Sequence, residues 1–320
     1  MTRDHREARD RHRWRMLPLA QVIRAAGYFL RRRDLLALGY TDKQISTALA
    51  SRTIFRVRQG WFSVRDAPPA GVLAVRVGGR LTGLSALESM GLPVPRPPRI
   101  HVAVPPTASR LRAPDNRRLK LSVSSGVTVH WDDTGEGGNS WCVSAADSLL
   151  AVLRVAPRDV ALACCGLALQ RKLISERQLE VLFAHAPRRV QDWQVLVSAL
   201  DEAHGETYFR LLLINSQIPC TQQVYINGVG RFDFRLTAHL FVEIDGAQHD
   251  PSWRGGSPSS WADGLDRDAA VAAQGIRVLH FGYRQLYVDQ PAILAAIERA
   301  LADDAGLAAW RHRHPLRPGT

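Results

Sequence analysis

Apolar positions recur at helical spacing three times in the first fifty residues. Residues 17–30, LPLAQVIRAAGYFL, predict a first helix, and RRRDLLALG predicts a second that stops at Gly39 as a left-handed cap. In TDKQISTALASR, Thr41 stands where an N-cap belongs. Ile45, Ala48 and Leu49 fall at i, i+3 and i+4 on the inner face, which leaves Lys43, Gln44, Ser46 and Thr47 pointing outward, as suits a helix in a major groove. The period then changes to two. IFRVRQGWFSV alternates on both sides of Gln59-Gly60 and predicts a β-hairpin carrying Arg56 and Arg58. Three helices and a hairpin make a winged helix over residues 1–66, with Lys43, Gln44, Thr47, Arg56 and Arg58 as candidate nucleic-acid contacts. The same order of elements also occurs in protein-docking modules.

Residues 67–190 predict a linking and helical middle domain. The stretch 66–130 is proline-rich and reads as irregular apart from two strand-like runs, IHVAV and VTVHW. Helical spacing returns in SAADSLLAVLRV, DVALACCGLALQRKL and SERQLEVLF, with Ser144 and Ser175 as caps and His185 on the surface.

In residues 191–320 a helix, GETYFRLLLI, precedes strands VGRFDFR and HLFVEID, a polar loop, a strand IRVLHF and a helix PAILAAIERALAD. Alternation puts Phe232 and Phe234 on one face, Val242 and Ile244 on one face of the next run, and Asp233, Glu243 and Asp245 at the opposite parity. If Asp233 lies across from Glu243, the hairpin loop is Thr237, Ala238 and His239. Like charges paired across strands repel by roughly 0.2–1 kcal/mol. A hard divalent cation such as Mg²⁺ or Mn²⁺ removes that repulsion and brings oxygen-ligand chemistry suited to phosphate. Glu206, early in the upstream helix, either reaches the same metal or is a solvated carboxylate favoured by the helix dipole. His249 is a candidate for moving a proton. Arg267 either steadies charge on a phosphate or pairs with Asp263 or another acid of its own helix. IRVLHF and the last helix read as scaffold.

Charge separates the two ends. Residues 1–65 hold 15 lysines and arginines against 5 acids, whereas residues 201–320 hold 11 against 14. A net of +10 at the front suits phosphate contacts, although solubility also explains an arginine excess. No run of about 18 apolar residues appears, so no membrane partner is expected. The basic N-terminus lacks the apolar core of a secretory signal, which points to a cytoplasmic protein. Cys142, Cys164, Cys165 and Cys220 have neither disulfide-framework nor zinc spacing and read as buried thiols.

The blocks GETYFRLLL, GRFDF, FVEIDGAQH and DRDAAVAAQGIRVLHF, in that order over about residues 201–302, resemble the very-short-patch-repair-endonuclease-like domain of the PD-(D/E)xK superfamily, as found at the end of actinobacterial proteins. LLALGYTDKQISTALASRTIFRVRQGWFSV with LTGLSALESMGL is similar to the front of AbiE-type abortive-infection antitoxins. The nuclease resemblance implies metal ligation by Asp233 and Glu243, with Glu206 as the helix-borne acid and His249 beside them. The superfamily lysine is missing: Asp245 occupies its position, and no lysine follows Lys172. His249, or a second metal held partly by Asp245, would have to replace it. The expected fold is therefore mixed α/β, with a winged helix, a helical middle and a restriction-endonuclease-like α/β core over 191–320. The expected function is a DNA-binding protein of antitoxin or defence type with a metal-dependent endonuclease-like domain, and a cognate toxin as a further partner. The alternative is a regulator whose nuclease-like domain only binds nucleic acid or protein.

Overall fold

The structure, a computed structural model, describes residues 17–133, 136–245, 267 and 269–313. His249 therefore lies outside the described residues. The chain is mixed α/β with three small sheets, and none of them closes into a barrel among the described residues. It divides into two compact units. One runs to Ala156 and adds Leu173–Asp192; the other joins Pro157–Lys172 to everything from Trp193 onward.

The first unit begins with α1 (Leu19–Ala25), β1 (Phe29–Arg31), α2 (Arg32–Ala37), α3 (Asp42–Ala50), β2 (Phe55–Arg58) and β3 (Trp61–Ser63). The first helix is shorter than the sequence pattern predicts. Tyr28 has φ 75, and beyond it Phe29–Arg31 pairs antiparallel with β3, so the sheet runs β1-β3-β2. The aromatic and β-branched neighbours available in the sheet outweigh helix propensity there. Gly39 is left-handed as expected, and Thr41 with Gln44 forms a reciprocal capping box. Val22, Ile23, Phe29, Leu35, Ile45, Ile54, Val57 and Phe62 are buried together between the helices and the hairpin.

The proline-rich stretch is not an irregular linker. It holds α4 (Pro69–Val77), β4 (Arg80–Leu81), α5 (Gly83–Ser89), β5 (Ile100–Ala103) and β6 (Val127–His130), with sheet order β4-β5-β6. Val77, Leu81, Ala86, Val102 and Val104 form its own core. The prolines hid α4 because Pro69 opens that helix, where a missing N–H removes nothing. Helices α6 (Ala145–Val155) and α8 (Glu176–His185) start at Ser144 and Ser175, both of which accept the expected cap bonds. α9 (Arg188–Gln191) follows them.

In the second unit, α7 (Arg158–Gln170) packs with α10 (His204–Asn215), so it leaves the stretch grouped by sequence as a middle domain. The sheet comprises β7 (Thr221–Ile226), β8 (Gly230–Arg235), β9 (Leu240–Asp245) and β10 (Arg277–Gly282), in the order β10-β9-β8-β7, with β10 parallel to β9. Strand β7 escaped the sequence reading because TQQVYI is too polar to alternate clearly. Helices α11 (Tyr283–Val288) and α12 (Gln290–Arg313) follow. One core packs Phe209 and Leu213 of α10 with Phe234, Val242, Phe281, Leu286 and Ile293. A second joins Phe232, Phe241 and Val271. Cys142, Cys164 and Cys165 are buried free thiols, and Cys220 is half-buried.

Gly166 in α7 lets that helix approach the chain at Ser198, whose carbonyl oxygen would stand 2.2 Å from an added Cβ. Backbone cannot yield cheaply there, so Gly166→Ala should destabilise the second unit by roughly 1–3 kcal/mol, as overpacking does. Thermal denaturation checks this, and an unchanged transition would contradict the packing.

Candidate functional site

The carboxylates expected at the centre of the second unit are held by β8, β9 and α10. Phe234 pairs with Val242 and Arg235 with Phe241, and the Leu236 N–H donates to the Leu240 carbonyl, which leaves Thr237, Ala238 and His239 as the loop. That register continues to Asp233 opposite Glu243, but the ladder does not. Asp233 Oδ2 instead accepts from the Ile244 N–H at 2.8 Å. Gln223, across from Asp233 on β7, has φ 50. The irregularity reverses parity, so the expectation that Phe232 and Phe234 share a face is corrected: Phe234 meets Phe209, while Phe232 meets Phe241 edge-on in the other core.

Glu206 is buried, not a solvated carboxylate of a helix terminus. Its Oε2 accepts from the Glu202 N–H at 2.9 Å and from Gln223 Nε2 at 3.0 Å. Asp201 fixes this end of α10. Fully buried, it accepts from Thr207 Oγ1, Arg210 Nη2 and Gln222 Nε2 at 2.8, 2.7 and 2.5 Å. Gly205 brings α10 onto β9, since a Cβ there would lie 3.1 Å from Ile244 Cγ2.

The described partners of Arg267 lie on the sheet, while Asp263 is outside the described residues. Arg267 Nη2 donates to Glu243 Oε1 and to the Arg231 carbonyl, and its guanidinium lies 4.2 Å from the Phe232 ring centroid. Arg231 in turn makes two 2.6 Å bonds to Glu202. The strand IRVLHF is more than scaffold. His280 stands opposite Glu243 in the parallel ladder, with Nδ1 3.6 Å from Glu243 Oε2 and 3.7 Å from Asp245 Oδ2. Its polar parity within an apolar strand was the signal that could have found it. Gln223, Glu202 and Arg231 carried no such signal.

Burial pushes Glu206 from its ordinary 4.5 up to about 8, with the charge of Asp233 adding to the shift. Burial also raises Asp233 and Glu243, against the opposing pull of Ile244 N–H and Arg231 on the first and of Arg267 on the second. Glu243 feels Asp233 as well. The donor set is hard carboxylate oxygen, and Gln223 Oε1 is a buried acceptor with no hydrogen-bond partner among the described residues. This chemistry fits a divalent cation. Among the described residues, however, no three His, Cys, Asp or Glu side chains form a ready-made metal group, and Arg267 occupies one oxygen of Glu243.

In the first unit, the five front residues separate. Gln44 folds its side-chain oxygen back to the Thr41 N–H, and Thr47 Oγ1 donates to the Lys43 carbonyl, so both spend polar groups on their own helix. The hairpin has a bulge between Arg56 and Arg58: Arg56 pairs with Phe62, whereas Arg58 pairs with Trp61. The two arginines consequently serve different surfaces, not one wing. Arg56 lines a groove of about 680 Å³ with Arg52, Arg65 and Arg117, and Arg117 donates to the Arg56 carbonyl. Arg58 lines a separate cavity. Sequence reading missed Arg117 because it lies 61 residues from Arg56.

No protein-family model and no curated protein matches this chain. No helix among the described residues is long and apolar enough to cross a membrane.

Because folding raises the Glu206 pKa, its contribution to stability is complete below about pH 4.5 and is lost as pH rises through about 8. Glu206→Gln keeps the shape and removes the titration. The variant should gain stability relative to wild type between pH 5 and pH 9 in thermal melts. Parallel pH profiles would rule out a buried, titrating Glu206.

Proposed function

We propose that this chain is a DNA-binding protein of antitoxin or defence type, with a winged-helix first domain and a metal-dependent endonuclease-like second unit. The observation that supports the reading is that Glu206 and Glu243 each feel the charge of Asp233, and burial drives all three towards the neutral form. Groups in that condition favour a cation. Asp233 and Glu243 would hold Mg²⁺ or Mn²⁺, with Glu206 as the third acid. Bound there, the ion would supply charge stabilisation to a phosphodiester under attack. Arg267, now on Glu243, would orient the incoming phosphate by its fork of donors. His280, between Glu243 and Asp245, would hold or pass a proton, a role the sequence offered to His249. The groove of Arg52, Arg56, Arg65 and Arg117 would supply phosphate contacts for duplex DNA, with Lys43 on the neighbouring helix face. A cognate toxin rests on the resemblance of the front half alone.

A specific contact favours a second reading. Arg267 already neutralises Glu243, and the superfamily lysine is absent, so the domain would bind nucleic acid without cutting it. Plasmid nicking distinguishes the two. With Mn²⁺, the wild type should nick duplex DNA, and Asp233→Asn should abolish cutting with its melting temperature retained. A wild type that binds Mn²⁺ and DNA yet cuts no single-stranded, duplex or mismatched substrate would sink the nuclease and leave the binding domain.

The groove has its own measurement. DNA affinity should fall steeply with salt, and Arg56→Gln or Arg117→Gln should each lower the salt slope by about one, as loss of one phosphate contact does. Unaltered slopes would move the interface elsewhere.

A further inference from the structure

The cavity that receives Arg58 has no part in the reading above. It belongs wholly to the first unit, encloses about 670 Å³, and is lined by Arg31, Arg33, Arg58 and Arg80 against only Asp34 and Asp133. Two of the four guanidiniums are committed: Arg80 makes a forked, buried pair with Asp133, and Arg33 lies 3.5 Å from Asp34. The other two are not. Among the described residues, neither Arg31 nor Arg58 has an ion-pair partner within 4 Å; Arg31 stacks on an aromatic ring and Arg58 lies beside Gly78.

Arg31 stacks over Trp61 with its guanidinium 4.7 Å from the ring centroid. Arg58 lies half-buried against the backbone of Gly78, the left-handed residue that ends α4. Gly78 has φ 119, a conformation that favours glycine, and Arg58 Nη1 lies 2.0 Å from where a Cβ on it would stand. Burial, with the nearby charge of Arg112, lowers the pKa of Arg58 from its ordinary value. A guanidinium that is partly dehydrated and without an acid retains its five donors for an anion from outside. The volume falls within the range of small-ligand sites, and the rim supplies a second such donor set in Arg31.

We propose that this cavity binds a phosphate group through Arg58 and Arg31, whether the phosphate belongs to a free nucleotide-sized ester or to a nucleic-acid backbone entering the first unit. Arg58 supplies the fixed contact, and Arg31 closes over the ligand from the Trp61 side. The site is separate from the groove of Arg52, Arg56, Arg65 and Arg117, because the hairpin bulge turns Arg56 and Arg58 to different surfaces.

Calorimetric titration of the full chain with pyrophosphate and with ADP, alongside a short duplex DNA, tests this. At least one of the three should bind with an affinity that falls tenfold or more in both Arg58→Gln and Arg31→Gln and is unchanged in Arg177→Gln, an exposed arginine of α8. Binding of pyrophosphate or ADP with that pattern assigns the site to a free ester; the pattern for DNA alone assigns it to a backbone phosphate. Arg31 is exposed, so its variant remains informative if Arg58→Gln fails to fold. The proposal is overturned if no probe binds, if neither variant weakens binding, or if the loss follows Arg52→Gln and Arg117→Gln instead.

Discussion

The second unit depends on one buried ion pair. Asp201 and Arg210 are almost wholly removed from water, and breaking such a pair from one side leaves an uncompensated charge that costs several kcal/mol. Asp201 also accepts from Thr207 of α10, the helix that carries Arg210, and from Gln222 of β7, so the carboxylate ties the first turns of α10 to the edge of the sheet. Glu206 and Gln223 are the adjoining residues on those two elements. Their contact, and the approach of Glu206 to Asp233, follow from where Asp201 pins the helix.

A second constraint is the irregularity at Asp233. A regular ladder would present Asp233 and Glu243 side by side on one face with no other obligation. Instead Asp233 substitutes its carboxylate for a ladder acceptor, Gln223 adopts a left-handed backbone, and the flanking phenylalanines go to opposite cores. Strained backbone and a buried unpartnered amide oxygen in one place recur where ligands bind. The acids there are opposed by Arg231 and Arg267, each bound to a carboxylate, so the arginines carry part of the charge balance in the centre.

The hairpin of the first unit obeys the same rule on a smaller scale. One extra residue, Val57, is buried, and its insertion changes which surface the next side chain reaches. Without the bulge, Arg56 and Arg58 would form a single basic strip. With it, one faces an arginine-lined groove and the other a cavity containing a buried Arg80–Asp133 pair.

The sequence by itself determined whatever rests on local periodicity and local hydrogen bonding. Gly39 and the caps at Thr41, Ser144 and Ser175, the Gln59-Gly60 hairpin and the three-residue loop after Leu236 all follow from neighbours a few residues apart. Tertiary structure decided the rest. It cut the first helix short in favour of β1, built a sheet and core in the proline-rich stretch, and drew α7 into the second unit. At the acidic centre it buried Glu206 and brought Arg267 and His280 to Glu243 from 24 and 37 positions away along the chain. Bulges, burial and long-range charge pairing depend on which surfaces meet, and hydropathy along a single chain carries the period of a strand but not its partner.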